Sequence, residues 1–237
     1  MKVIGLIGGL SWESSALYYQ IINQSVRAQL GGLHSADCLL YSFDFAEIEA
    51  LQHADRWDQA TARMVEAAQR LERGGADCIL ICSNTMHRMA DAVGDSVTVP
   101  LIHIADPTAE AVCAAGFDRV GLLGTRYTME ADFYKGRLAG RYGLTVITPD
   151  EDGRSTIHWI IYEELVRGVV RDESRAAYQQ AIAQLVEDGA QCIILGCTEI
   201  TLLIKPEHSP VPVFDTTALH AEAAVRFALA EHAGVHG

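Results

Sequence analysis

The sequence of 237 residues is poor in basic side chains. It holds 18 Lys and Arg against 31 Asp and Glu, which gives a formal net charge of −13. Proteins that bind nucleic acids or anionic membranes present clustered basic residues, so we expect neither as a partner. The only lysines are Lys2, Lys135 and Lys205, and none lies in a context that indicates a Schiff base to a pyridoxal cofactor.

Long apolar runs and a disulfide framework are lacking as well. No apolar run reaches the roughly 18 residues that a transmembrane helix needs. Met1 and Lys2 lead directly into an apolar segment that predicts a strand rather than a signal peptide. Six cysteines without a secretory signal predict free thiols, and hence a cytoplasmic protein. Their spacing does not fit a zinc site, so we expect no metal.

What the sequence does have is a regular alternation of apolar and amphipathic segments. The amphipathic segments predict helices, two of which end at Gly74 and Gly189. Strands that alternate with helices of this length predict a parallel α/β fold. The strand candidates are residues 3–7, 38–43, 78–82, 101–104, 120–123, 144–147, 192–195 and 211–214.

The two halves of the chain resemble each other. Residues 3–9 match residues 119–125, residues 75–83 match residues 189–197, and residues 99–100 match residues 211–212, at offsets of 116, 114 and 112. Strands of α/β proteins resemble one another in any case, but matches in the same order favour a duplication. We predict two pseudo-symmetric domains, residues 1–98 with 209–237 and residues 99–208. Each would be a small parallel sheet flanked by helices, with the active site in the cleft between them.

Ser83 and Cys197 occupy equivalent places in this repeat, each directly after a strand. They would approach a ligand in the cleft from opposite sides. Racemisation at a carbon atom needs such a pair, one group to remove the proton and another to deliver one from behind. A thiolate serves as the base when a helix N-terminus or neighbouring donors lower its pKa.

Small polar residues follow both positions. Asn84, Thr85 and Thr198 have the hydroxyl, amide and main-chain N–H groups that can hold a substrate carboxylate. Glu199 could bind the substrate ammonium group, because an unpaired buried carboxylate would otherwise be costly.

Five segments resemble the aspartate/glutamate racemase family, closest to its L-aspartate/glutamate-specific, broad-specificity branch. They are residues 4–14, 31–36, 83–87, 123–130 and 196–200, which together span nearly the whole chain. The resemblance implies an amino-acid racemase of two pseudo-symmetric α/β domains, with no cofactor or metal and with a homodimeric assembly. Its substrates would be aspartate, glutamate or a related polar amino acid.

The sequence departs from the family pattern at one catalytic position. Most members have Cys-Asn-Thr in the first half, whereas this chain has Ser83 before Asn84 and Thr85, with Cys82 one residue early. Successive strand side chains point to opposite faces, so Cys82 is expected to point away from the site. Because an alcohol is a much weaker acid than a thiol, we predict an asymmetric enzyme in which Cys197 handles one enantiomer well. The resemblance implies that this is the L-enantiomer.

The substrate side chain would be held by residues farther from the two turns. Arg167 lies where the resemblance implies a cation, and an offset of 115 aligns it with Gln52. Arg167 could equally be a solvated residue at a helix end. Leu10 and Thr125 follow the glycine-rich turns and should border the cleft. Two other functions stay open, a single-cysteine decarboxylase or isomerase of a small dicarboxylic acid, and a catalytically weak small-molecule binder.

Overall fold

The computed structural model describes residues 1–230, and the chain divides into two compact units. Met1–His103 and the described residues from His220 to Ala230 form the first unit, and Ile104–Leu219 forms the second. Each unit contains one parallel sheet flanked by helices, which confirms the predicted α/β fold class. Within the described part of the chain, none of the helices has the length and apolar character that crossing a bilayer requires.

The first unit has a three-stranded sheet in the order β2-β1-β3, with every pairing parallel. Its strands are β1 (Ile4–Gly8), β2 (Cys38–Ser42) and β3 (Cys78–Ile81). Its helices are α1 (Trp12–Leu30), α2 (Phe45–His53), α3 (Trp57–Arg73) and α4 (Ala90–Asp95), with a 3₁₀ segment at Thr85–Met89.

The second unit has four parallel strands in the order β5-β4-β6-β7. They are β4 (Arg119–Gly124), β5 (Thr145–Ile147), β6 (Cys192–Gly196) and β7 (Val213–Asp215). The helices are α5 (Ala105–Ala114), α6 (Arg126–Glu130), α7 (Asp132–Tyr142), α8 (Glu151–Glu163), α9 (Asp172–Glu187), α10 (Ile200–Leu203) and α11 (Thr216–Leu229). Two 3₁₀ segments lie at Leu165–Arg167 and Pro206–His208, and α11 runs across the boundary into the first unit.

Both faces of the inner strands are buried, because helices cover both sides of each sheet. In β1, Ile4 and Leu6 face a core that includes α1 and α11, while Ile7 faces a second core that includes α3. This alternation follows from the two-residue period of a strand, and near-continuous apolar sequence is what a strand buried on both faces requires. It also places Cys82, which is fully buried, in the core shared with α1 and α11.

The two sheets repeat one detail of their edge pairing. The Ile193 N–H donates to the Pro212 carbonyl at 2.9 Å, and β7 continues from there. In the first unit the Ile79 N–H donates to the Pro100 carbonyl at 2.9 Å, but the pairing stops at a single bridge to Leu101. The expected strand at residues 101–104 is therefore wrong, because α5 begins at once, with Ile104 at its N-cap position.

The division between the units differs from the expected one at both crossings. The first crossing lies at His103 rather than residue 98, and the second at Leu219 rather than residue 208. Residues 209–219 belong to the second unit because Val213–Asp215 pairs with β6. Residues 231–237 of the expected first domain lie outside the described residues.

Gly9 fixes the turn between β1 and α1. Its φ is +70°, and a Cβ atom there would lie 2.2 Å from the Phe43 carbonyl oxygen and 2.3 Å from the Phe43 nitrogen. The Gly9 N–H donates to the Ser15 hydroxyl at 2.8 Å, which ties the turn to the first helix. Only glycine fits, because both the left-handed backbone and the contact exclude a side chain.

We expect Gly9→Ala to lower the free energy of unfolding by roughly 2–4 kcal/mol, because the new methyl group would meet main-chain atoms. Urea denaturation measures the change. Gly140→Ala is the matched control, since a Cβ at Gly140 meets nothing within 4 Å. That variant should be stabilised by about 0.5–1 kcal/mol. Equal unfolding midpoints for the two variants would contradict the assignment.

Candidate active site

The Ser83 turn (residues 83–87) begins where β3 ends. The Ser83 N–H donates to the Ile81 carbonyl at 2.8 Å, and the Ser83 hydroxyl accepts from the Met86 N–H at 3.4 Å. Ser83 is half-buried, whereas Asn84 and Thr85 beside it are buried. Ser83 therefore keeps the accessibility that a reacting group needs, and Cys82 does not. Burial also raises the pKa of the Cys82 thiol well above its usual value.

Three buried histidines pack behind the Ser83 turn. The ring of His87 lies 4.6 Å from that of His103 and 5.6 Å from that of His220. The His87 Nδ1–H donates to the Ser83 carbonyl at 2.7 Å. The His220 Nε2–H donates to the Ile102 carbonyl at 2.7 Å, so in the neutral ring Nδ1 accepts from Tyr18, 2.8 Å away. These bonds fix the backbone that carries Ser83.

The Cys197 turn (residues 196–200) is the corresponding turn of the second unit. It begins at Gly196, the last residue of β6, and leads into α10. A Cβ on Gly196 would lie 2.9 Å from the Leu123 carbonyl oxygen, so a side chain there would force β6 away from β4. The chain can thus enter this turn only in close contact with its neighbouring strand.

The Cys197 thiol is bonded to a carboxylate. Its Sγ donates to Glu199 Oε2 at 3.0 Å, and both residues are buried. Burial raises the pKa of this thiol well above its usual value, and the charge and hydrogen bond of Glu199 raise it further. The N–H groups of Glu199 and Ile200 act in the opposite direction but do not prevail.

This arrangement corrects one expectation about the thiol. The donors that should stabilise a thiolate are present, yet burial and Glu199 keep Cys197 protonated. Glu199 Oε2 lies on the thiol, where it can accept the proton, and the expectation that this carboxylate also binds the substrate ammonium group stays a prediction. The arrangement supplies a base after the proton has moved from sulfur to carboxylate. The net charge of the pair does not change in that transfer.

The two glycine-rich turns are built alike. Ser11, next to Leu10, caps α1 by accepting from the Ser14 N–H at 3.2 Å. Thr125 caps α6 by accepting from the Thr128 N–H at 3.3 Å. Leu10 and Thr125 are both buried, and each follows an inner strand of its sheet, β1 and β4 respectively.

The two residues expected to hold a substrate side chain differ in their surroundings. Gln52 is buried on α2, and its Nε2 lies 3.0 Å from the sulfur of Met86 within the Ser83 turn. Arg167 has 64% of its side chain exposed and pairs with Glu163 at 3.0 Å. The structure thus brings Gln52 to the Ser83 turn but leaves Arg167 in solvent at the end of α8, as the alternative interpretation expected.

Two further features near the turns were missed by the sequence analysis. One is the bond between Cys197 and Glu199, and the other is Tyr178, fully buried in the same core as Cys197. The spacing Cys-x-Glu could have indicated the bond. Tyr178 could not have been singled out among core residues of an amphipathic helix. Among residues 1–230, no group of His, Cys, Asp and Glu side chains is arranged to hold a metal ion.

A thiol bonded to a carboxylate at the end of a parallel strand suits an enzyme that transfers protons. Comparison with known proteins defines which class. The family model described as Asp/Glu/hydantoin racemase matches residues 7–224. The chain therefore belongs to the Asp/Glu/hydantoin racemase family, whose members are isomerases that work without pyridoxal phosphate.

Relatives of the chain are similar along its whole length. The broad-specificity amino-acid racemase RacX of Bacillus subtilis is 23% identical over 96% of this chain and 99% of its own. A solved structure from Yersinia pestis, described as a candidate Asp/Glu racemase, is 53% identical with a TM-score of 0.91, over 97% of this chain and 100% of its own. An aspartate racemase homologue from Pyrococcus horikoshii is 34% identical with a TM-score of 0.83, over 96% and 99%.

We expect Glu199→Gln to make Cys197 react faster with iodoacetamide, by about tenfold at neutral pH, because an amide removes the negative charge that disfavours the thiolate and adds N–H donors that can stabilise it. Quantitative peptide mass spectrometry distinguishes Cys197 from the other five cysteines. Glu187→Gln, which neutralises an exposed carboxylate of the same unit, is the control and should leave the rate unchanged. Slower alkylation in Glu199→Gln would show that Glu199 promotes the thiolate in the resting protein.

Proposed function

We propose that this protein is a cofactor-independent racemase of polar α-amino acids, with aspartate, glutamate and their relatives as substrates, and that it works as a homodimer. The family gives the reaction class, and the names of the relatives support aspartate and glutamate as the first substrates to test. The proposal assigns proton removal and delivery at the α-carbon to Cys197 and Ser83.

The observation that carries the proposal is the proton shared by Cys197 and Glu199. A thiol with a carboxylate at 3.0 Å can become a thiolate inside the protein without a proton leaving for solvent. A thiolate is a suitable base for an α-proton once the site has bound substrate. Ser83, which occupies the matching place after β3, faces no such carboxylate, because Thr85 stands where the second half has Glu199.

The residues next to both turns would hold the substrate. Asn84, Thr85 and Thr198 offer N–H, amide and hydroxyl groups, which suit the α-carboxylate. Leu10 and Thr125 would border the bound amino acid. For the substrate side chain we propose Gln52, whose amide already contacts the Ser83 turn, and Arg167 after rotation away from Glu163.

The difference between Ser83 and Cys197 predicts a difference between the two directions. Removal of the α-proton from the L-enantiomer would fall to Cys197, which has a proton acceptor of its own. Removal from the D-enantiomer would fall to Ser83, whose hydroxyl is a far weaker acid and must exchange its proton through water. The enzyme should therefore have a higher kcat for L-amino acids than for D-amino acids, with KM differing by the same factor because the equilibrium constant of a racemisation is unity.

We expect the wild-type protein, without added cofactor, to exchange the α-hydrogen of L-glutamate, L-aspartate or L-homoserine in D2O and to form D-product. Proton NMR follows the exchange, and chiral chromatography the product. Cys197→Ala should lower both by at least about 100-fold, because it removes the base. Cys113→Ala, which changes an exposed cysteine, should keep wild-type rates.

The same assay separates the two other functions. The presence of a single thiol at the paired positions also suits a decarboxylase of a malonate-type acid, which would release CO2 in a Cys197-dependent way. A binding protein would show ligand-induced thermal shifts with no exchange for any amino acid. Either result would exclude a racemase.

We expect Ser83→Cys to increase D-to-L turnover by about tenfold or more, because a thiol gives up its proton far more readily than an alcohol. Initial rates from each enantiomer, measured by chiral chromatography, give the change. Ser83→Thr keeps a hydroxyl and serves as the control, with direction dependence like that of the wild type. An unchanged D-to-L rate in a folded Ser83→Cys variant would remove Ser83 from the mechanism.

A further inference from the structure

The Tyr178 hydroxyl has no hydrogen-bond partner among the described residues, although the side chain is fully buried. This is unusual, since a buried hydroxyl without a partner loses its bonds to water and gains nothing in return. Of the other two fully buried tyrosines, Tyr18 bonds to His220, whereas the Tyr134 hydroxyl also has no hydrogen-bond partner in the described part of the chain. Tyr178 differs from Tyr134 in its surroundings, because its core cluster contains Cys197 and that of Tyr134 does not.

Tyr178 lies on α9 within the core cluster that also contains Cys197. The charges of Cys197 and Glu199 act on its hydroxyl group. Burial raises the pKa of Tyr178 well above its usual value, and negative charge on Cys197 and on Glu199 raises it further. At neutral pH the phenol is therefore always protonated, and it can donate a hydrogen bond but cannot take a proton away.

The repeat ties this tyrosine to the thiol half of the chain. At the offset of 114 that aligns Cys197 with Ser83, Tyr178 aligns with Met64 and Glu199 with Thr85. Met64 is likewise fully buried on the equivalent helix α3. At these two aligned positions, the half with the thiol has a carboxylate and a phenol, whereas the half with the alcohol has neither.

We propose that Tyr178 is the hydrogen-bond donor held for the Cys197 thiolate. When the proton moves from the Cys197 sulfur to a Glu199 carboxylate oxygen, negative charge leaves the carboxylate and arises on sulfur. The Tyr178 hydroxyl then donates to the sulfur and keeps its own proton. Tyr178 thus acts through Cys197 and needs no contact with the substrate. The inference rests on the proposed function for its place in turnover, but not for its effect on the thiol.

The test is Tyr178→Phe, which removes the hydroxyl and nothing else. We expect alkylation of Cys197 by iodoacetamide to slow by about tenfold across the pH range, and kcat for the L-amino acid to fall by a similar factor with KM nearly unchanged. If the hydroxyl had only a structural role, its removal would leave alkylation of Cys197 and kcat unchanged. The unfolding midpoint should be equal or higher in either case, because the hydroxyl has no partner among the described residues in the resting state.

Tyr134→Phe is the matched control, because Tyr134 is equally buried in the other core of the second unit. It should keep the wild-type alkylation rate and kcat. Tyr178→Met, which introduces the residue of the first half, provides a second variant without a hydroxyl and should reproduce the loss. Wild-type alkylation in a folded Tyr178 variant, or an equal loss in Tyr134→Phe, would overturn the proposal.

The alkylation profile distinguishes the failure of this inference from the failure of the proposed function. It reads the thiol directly and needs no substrate. If no amino acid exchanges its α-hydrogen but Tyr178→Phe still slows alkylation of Cys197, the racemase assignment fails and the role of Tyr178 stands. If exchange is found but alkylation and kcat in Tyr178→Phe equal those of the wild type, the racemase assignment stands and the role of Tyr178 fails.

Discussion

Two side chains share one proton at the end of β6, and much of the second unit keeps them in place. Cys197 and Glu199 both lie at a buried turn, where burial and the neighbouring carboxylate favour the neutral thiol and main-chain N–H groups favour the thiolate. The close approach of Gly196 and Gly124 holds the turn against the neighbouring strand β4. A Cβ on Gly124 would lie 2.8 Å from the Gly196 carbonyl oxygen. A proton can move between fixed partners with little reorganisation.

The repeat shows how one architecture supports two unequal turns. Both units place a candidate reacting group directly after a strand, β3 in the first unit and β6 in the second, and this group is half-buried in the first and buried in the second. In the first unit His87 fixes the following backbone by bonding to the Ser83 carbonyl. In the second, Glu199 bonds to the side chain of Cys197 instead. The two turns are therefore similar in backbone, but within the described chain only the thiol has a carboxylate partner.

The sequence predicted the sheets well because strands buried on both faces leave an unmistakable apolar run. It failed at residues 101–104, where the apolar run was right but Ile104 already belongs to the N-terminus of a helix. The division of the chain was displaced for a related reason. The three residues of β7 are too short to reveal by pattern which sheet they join, and only their pairing with β6 decides it.

For the candidate site, the sequence draws attention to two turns but does not predict their electrostatics. Ser83 and Cys197 follow from the repeat alone. The protonation of Cys197 depends on where the Glu199 carboxylate points, and the exposure of Arg167 depends on a rotamer that pairs it with Glu163. Spacing can indicate which residues are neighbours, but side-chain orientation decides these properties. The isolated hydroxyl of Tyr178 is of the same kind, since its lack of a bond is visible only in three dimensions.

The first unit is assembled from two separate stretches of the chain, whereas the second is one continuous stretch. Ala221, Ala224, Val225 and Ala228 of α11 fill part of the core beneath β1 and β3, and His220 closes the polar link from Tyr18 to Ile102. During synthesis, the second unit thus has all its residues before the core of the first can close. The part of the protein that is translated first is the part that finishes folding last.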